Sequence, residues 1–216
     1  MAIVFDADHA EPAKRAPLWP VAIDWFERIA VAGLSFMLIL RIVHGGGPLL
    51  VNGLLLFGEG LIVLSVLLRR TTGNYSSKPL DWAFAVGGTA LPLLAGPGGT
   101  NIAPVYVSGA LMLVGLLIQA SAKVILFRSF GAVAANRGVK REGPYRFIRH
   151  PMYAGYVCMW LGFWLYNPTL RNSVIYALCL GCMAYRILAE ECLLSADPKY
   201  QAFMRTTRYR LLPKIW

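Results

Sequence analysis

Charge is scarce in this chain. Lys, Arg, Asp and Glu make up 15% of its 216 residues, against 57% hydrophobic residues. A soluble domain carries about a quarter charged residues, so that class is excluded. Acids are scarcer still, with 11 Asp and Glu against 21 Lys and Arg and a formal net charge of +10. In a soluble protein this excess would point to nucleic acid. Here the bases lie between long apolar runs, where they orient membrane helices, and nucleic acid is not an expected partner. Histidine occurs three times and cysteine four times. Cys158, Cys179, Cys182 and Cys192 fall in or beside apolar runs. The Cys-x-x-Cys at 179–182 has no second pair or histidine cluster to complete a zinc site. The cysteines read as small packing residues, and no metal is expected. The chain also lacks Gly-x-Gly-x-x-Gly, a Walker loop and His-Glu-x-x-His. Residues 1–20 carry Asp6, Asp8, Glu11 and three prolines where a cleavable signal would have an apolar core. The first apolar helix is therefore expected to be retained as the targeting element.

What the chain does have is apolar runs, at 22–43, 48–68, 80–95, 104–127, 152–166 and 170–189. Each is bounded by Gly, Pro or charge. Backbone polar groups in lipid must be satisfied within the segment, so these runs are expected to be helices. The fold class expected is all-α, a polytopic membrane bundle of about six segments. The third run contains Pro92 and the fifth is short. Tyr166-Asn167-Pro168 joins the fifth and sixth into a helical hairpin that need not cross completely. With the N-terminus in the cytoplasm, every basic residue except Arg41 and Arg171 falls on the cytoplasmic side. That bias supports six segments with both termini inside, in an inner or cytoplasmic membrane. Residues 1–127 read as N-terminal membrane helices and 128–216 as loop, hairpin and tail, together one integrated domain. The loop 128–151 and the tail 190–216 should meet at the cytoplasmic surface, because the hairpin joins them.

Polar side chains gather at that meeting point. Residues 143–156 read GPYRFIRHPMYAGY and place Arg146, Arg149 and His150 at the entrance of an apolar run. Charge there costs several kcal/mol unless paired, solvated or used. On the last run, Arg186 and Glu190 stand four apart and share a helix face, with Glu191 beside them. Glu59, between Gly58 and Gly60, is an intramembrane acid and a candidate by position; the alternative is a protonated or hydrogen-bonded acid at a helix contact. Gln119 and Lys123 are four apart and could point into the same pocket, although Lys123 could also reach the headgroups.

The run Arg149-His150-Pro151-Met152-Tyr153-Ala154-Gly155, followed after a hairpin by ILAEECLL and then by Tyr200, Phe203 and RYRLLP, resembles the isoprenylcysteine carboxyl methyltransferase family. The wider group includes membrane phospholipid N-methyltransferases. The likeness covers about residues 123–213. It implies a membrane-embedded, cytoplasm-facing pocket for S-adenosyl-L-methionine. Arg137, Gly138, Val139, Lys140, Tyr145, His150, Pro151, Met152 and Tyr153 would line the cofactor. Its acidic contact would fall on Glu190 or Glu191, and the substrate-facing arginine on Arg186. Arg186, Glu190 and His150 are thus the candidate catalytic residues.

The residue chemistry agrees. A carboxylate suits the cofactor's ammonium, an arginine suits a carboxylate as a planar fork, and tyrosine faces suit an adenine or a cation. A carboxylate acceptor needs no base, whereas an ammonium acceptor must first lose a proton, to His150 or a glutamate. The function expected is methyl transfer to a lipophilic acceptor drawn from the membrane lipids. Carboxyl O-methylation of an isoprenylcysteine-like amphiphile comes first, and N-methylation of a phospholipid or other lipid amine second. A non-catalytic membrane protein or transporter would gather its polar groups at mid-membrane and show related halves. A membrane reductase would bind a nicotinamide cofactor in the corresponding cavity. Neither the acceptor nor the oligomeric state is written in the sequence.

Overall fold

The computed structural model describes residues 19–68, 79–126, 139–213 and 215–216. Among them there are helices and no strands. The α-helices are α1 (Trp19–Gly45), α2 (Leu49–Leu68), α3 (Pro79–Ala90), α4 (Val105–Leu126), α5 (Pro151–Tyr166), α6 (Leu170–Leu194) and α7 (Pro198–Thr206). Short 3-10 turns cover Leu91–Leu94 and Gly143–Arg146. The all-α expectation holds, and each of the six apolar runs is helical. Three stretches, Arg28–Gly45, Val105–Leu126 and Leu170–Leu194, are long and apolar enough to cross a membrane. Six complete crossings do not follow. The 16 residues of α5 span about 24 Å, short of a hydrocarbon core of about 30 Å. The third run tightens at Pro92 from α-helix into the 3-10 turn, because proline removes a donor and crowds the preceding turn.

Local signals set the ends. Pro151 opens α5 at a position where its missing N–H costs nothing. Thr169 caps α6 by accepting the Asn172 N–H at 3.1 Å. Asp197 caps α7 by accepting the Lys199 N–H at 2.8 Å. The turn between α5 and α6 is tied down by two buried asparagines. Asn172 donates to the carbonyls of Gly96 (2.9 Å) and Asn167 (2.8 Å) and accepts from the Gly96 N–H (3.2 Å). Asn167 accepts from the Gly98 N–H at 3.1 Å. Arg41 of α1 donates to the carbonyls of Leu93, Leu94 and Ala95, which would otherwise lack partners at the end of the 3-10 turn.

Although α5 and α6 are consecutive, α5 packs chiefly on α4, and α6 on α3. Small residues explain the first contact. Ser108, Gly115 and Ala122 on α4 and Gly155 and Gly162 on α5 recur at sevens, which keeps one seam facing its partner. A Cβ at Gly115 would lie 2.5 Å from the Gly155 carbonyl oxygen, and one at Gly155 would lie 2.6 Å from that of Gly115. The two backbones touch, as small residues allow in membrane helix pairs. Between α5 and α6 large groups intervene instead. Tyr176 stacks on Trp160 with centroids 5.9 Å apart, and Arg186 lies 5.4 Å from the Tyr153 centroid. The outward faces remain apolar, with Val43, Leu50, Phe57, Leu64, Leu117, Val124 and Leu178 exposed.

These contacts separate two glycine classes by experiment. Gly155→Ala lacks room for its methyl and should destabilise the folded protein by about 1–3 kcal/mol. Gly181→Ala meets nothing within 4 Å and should be neutral or stabilising by up to about 1 kcal/mol. Denaturation midpoints of the two variants in the same lipid or detergent would check both.

Candidate active site

The first turn of α5, the last turns of α6 and the C-terminal tail converge. Gly143 starts the approach with φ +55°, a conformation that glycine adopts freely, and a Cβ there would strike Ile125 of α4. The 3-10 turn that follows buries Tyr145. The next residues bind the tail through backbone: the Arg149 N–H donates to the Tyr209 carbonyl (2.8 Å) and the His150 N–H to the Arg210 carbonyl (2.9 Å). Arg149 also donates from its guanidinium to the Arg208 carbonyl at 3.2 Å. Further back, Arg141 donates to the Lys199 carbonyl at 2.5 Å.

Glu191 is the centre of this junction. Its side chain is 8% exposed. Oε1 accepts from His150 Nε2 at 3.1 Å and pairs with Arg149 at 3.2 Å, while Oε2 accepts from Arg210 Nε at 2.8 Å. A carboxylate so far from water needs donors on both oxygens, and it has them. Arg210 in turn lies 5.4 Å from the Trp216 ring centroid.

Glu190 is placed differently. It is half-buried, and among the described residues no hydrogen bond or ion pair engages its carboxylate. Its charge bears on Tyr145 and Tyr200. Burial first, and then the Glu190 charge, push the Tyr145 phenol above its ordinary range. The Tyr200 phenol is raised in the same way, with Glu191 adding and Arg149 and Arg210 opposing. Both hydroxyls therefore stay protonated near neutral pH and can donate.

An aromatic ladder leads inward from His150. Successive centroid distances are 5.7 Å to Tyr153, 6.2 Å on to Tyr156, 6.0 Å to Trp160 and 5.9 Å to Tyr176. The α5 members recur every three or four residues, one helix face. A cation flanks the ladder on each side. The Arg186 guanidinium is over Tyr153, and the Lys123 ammonium is 5.3 Å from the Tyr156 centroid. Lys123 also donates to Gln119 Oε1 at 3.2 Å. Arg186 Nε is buried without a hydrogen-bond partner among the described residues. Gly88 of α3 makes room for this side chain, since a Cβ there would lie 3.2 Å from Arg186 Nη1. Glu59 is buried and interacts electrostatically with Lys123, but its Oε2 has no partner among the described residues.

The junction thus unites His150, Tyr145, Tyr153, Arg186, Glu190 and Glu191, as the hairpin argument expects. Pro151 and Met152 are buried in the first turn of α5, Val139 packs partly against the core, and Lys140 is exposed. Arg137 and Gly138 lie outside the described residues. Of the two acids, Glu191 is the one that touches His150. Sequence reasoning missed Arg149 as a partner of Glu191, and missed Arg210 altogether. The tail motif RYRLLP contained Arg210, but nothing in its spacing marked a partner in α6.

Residues 106–196 match the family model of the phospholipid methyltransferases. The match runs from α4 to just past α6 and takes in the Arg-His-Pro-x-Tyr-x-Gly run and both glutamates. This stretch is thus similar to the phospholipid methyltransferases, and three apolar helices of spanning length agree with a membrane protein. No curated protein matches the chain.

Removing Glu191 leaves Arg149 and Arg210 uncompensated. Glu191→Ala should cost about 3–5 kcal/mol of stability, the usual consequence of deleting one member of a buried pair. Glu190→Ala should cost less than about 1 kcal/mol. The check is the apparent unfolding midpoint of each variant.

Proposed function

We propose that the chain is an S-adenosyl-L-methionine-dependent methyltransferase of the membrane, with its site at the cytoplasmic surface and a lipophilic acceptor. The single observation that carries this reading is the junction of His150, Tyr153, Arg186 and Glu190 inside the stretch that matches the family model. The residues fit the cofactor. Glu190 is the carboxylate available for its ammonium, and the Tyr145 and Tyr153 rings offer faces for adenine or a cation. Val139 and Lys140, with Arg137 and Gly138 before them, would supply backbone to an adenine edge, and Pro151 and Met152 the apolar wall beside it. Bound there, the cofactor would supply a methyl group already activated on a sulfonium.

The protein's task is then mostly alignment. The ladder and the closely packed α4–α5 seam exclude water from the inner wall. Arg186 has a buried Nε without a hydrogen-bond partner among the described residues and a ring beneath it, so it suits an anionic group on the acceptor as a planar donor. A carboxylate held this way requires no base. Carboxyl O-methylation of an isoprenylcysteine-like amphiphile is therefore the leading reaction. The second reading, N-methylation of a phospholipid or other lipid amine, is favoured by the family match. It would need a base, for which His150 and Glu190 are the candidates within the junction.

Labelled-methyl transfer from the cofactor into a whole-membrane lipid extract separates the two. Base-labile methyl esters support the leading reading, labelled amine headgroups the second, and no saturable cofactor binding by calorimetry defeats both. Glu190→Gln should weaken cofactor binding about tenfold or more, as loss of a charged partner implies. Arg186→Met should instead raise the acceptor KM with cofactor affinity little changed.

A further inference from the structure

We propose that Arg210 is a positioning residue of this site, acting through Glu191 on the imidazole of His150. The consequence for catalysis rests on the methyltransferase reading above; the linkage itself does not. Three cationic or hydrogen-bonding side chains share one carboxylate, and they share it unequally. His150 and Arg149 both use Oε1, at 3.1 and 3.2 Å. Arg210 alone holds Oε2, at 2.8 Å, the shortest of the three contacts. An arginine beside a carboxylate tends to take both oxygens with its planar fork. Arg149, 9% exposed and with its Nε lacking a partner among the described residues, is placed to do so. By occupying Oε2, Arg210 prevents that, and Oε1 stays turned toward His150.

No capping hydrogen bond orients the His150 side chain, although the residue sits at the N-cap of α5. Its ring is fixed by Glu191 on one nitrogen and by the Tyr153 face. With Nε2 engaged by Glu191, Nδ1 is the ring nitrogen left to the site. The geometry of that nitrogen depends on a residue 19 positions beyond Glu191 in sequence. Arg210 is itself held in place. Its N–H donates to the Trp216 carbonyl at 2.9 Å, its carbonyl accepts the His150 N–H, and its guanidinium lies beside the Trp216 ring. The tail lies beyond the stretch that matches the family model, which ends at 196, yet it completes the site.

Two readouts on the full chain in lipid nanodiscs test this. The first needs no activity. With three histidines in the chain, nitrogen-15 histidine labelling makes the His150 ring resonances assignable by a His150→Gln control. R210A and E191Q should each displace those resonances, and R210A on top of E191Q should move them no further. The second is kinetic. R210A should lower kcat about tenfold to a hundredfold with the acceptor KM within about twofold. R210K, which keeps a cation on Oε2, should recover much of kcat. The double variant should be no slower than E191Q alone. An undisturbed His150 spectrum in R210A, or losses that multiply in the double variant, would overturn the proposal. Should R210A not fold, R210K against E191Q gives the same comparison.

Discussion

The Glu191 carboxylate lies almost out of water at the end of α6, and such a group must be matched by donors or it is costly. Its partners come from two other parts of the chain: Arg149 and His150 before α5, and Arg210 in the tail. Satisfying one buried charge therefore fixes where the motif loop, the end of α6 and the C-terminal segment stand relative to one another. Backbone bonds from Arg149 and His150 to the tail carbonyls then follow the same alignment. This frees Glu190, one residue earlier and turned to another face, from structural duty. Adjacent acids thus divide, one holding the junction and the other facing Tyr145 and Tyr200.

A second constraint sets the interior. The backbones of α4 and α5 meet at Gly115 and Gly155, which leaves no space on that side. Large groups hold α5 and α6 apart, and between them run the rings of Tyr153, Trp160 and Tyr176 with Arg186 alongside. Tight packing on one face and aromatic packing on the other put the polar equipment of α5 on the side toward α6. Gly88 of α3 admits Arg186 to that space, so the N-terminal half contributes by what it omits.

Much of this was legible in the sequence, for identifiable reasons. Apolar runs bounded by Gly, Pro and charge mark helices well, and all six are helical. The charge bias pointed to six segments and only the hairpin was allowed an incomplete crossing, whereas among the described residues three stretches are long and apolar enough to cross. The hairpin turn at 166–168 implied that loop and tail meet, and they do. Gly155 could be suspected as a packing glycine, but its partner Gly115 could not, since contact between helices 40 residues apart leaves no local trace. Likewise, consecutive α5 and α6 suggested mutual packing, whereas side-chain size sends α5 to α4. The choice between Glu190 and Glu191 was undecidable from spacing. Whichever acid faces the cationic residues depends on a tail whose course is set by long-range hydrogen bonds.

The family match over 106–196 meets a junction that also takes in Tyr200 and Arg210. Ultraviolet crosslinking of labelled S-adenosyl-L-methionine to the purified chain, followed by peptide mapping, tests that union most directly. The prediction is label on both the 139–153 and the 186–210 segments, competed away by unlabelled cofactor. Label confined to α1 and α2, or none that competes, would contradict the claim that these two ends form one cofactor site.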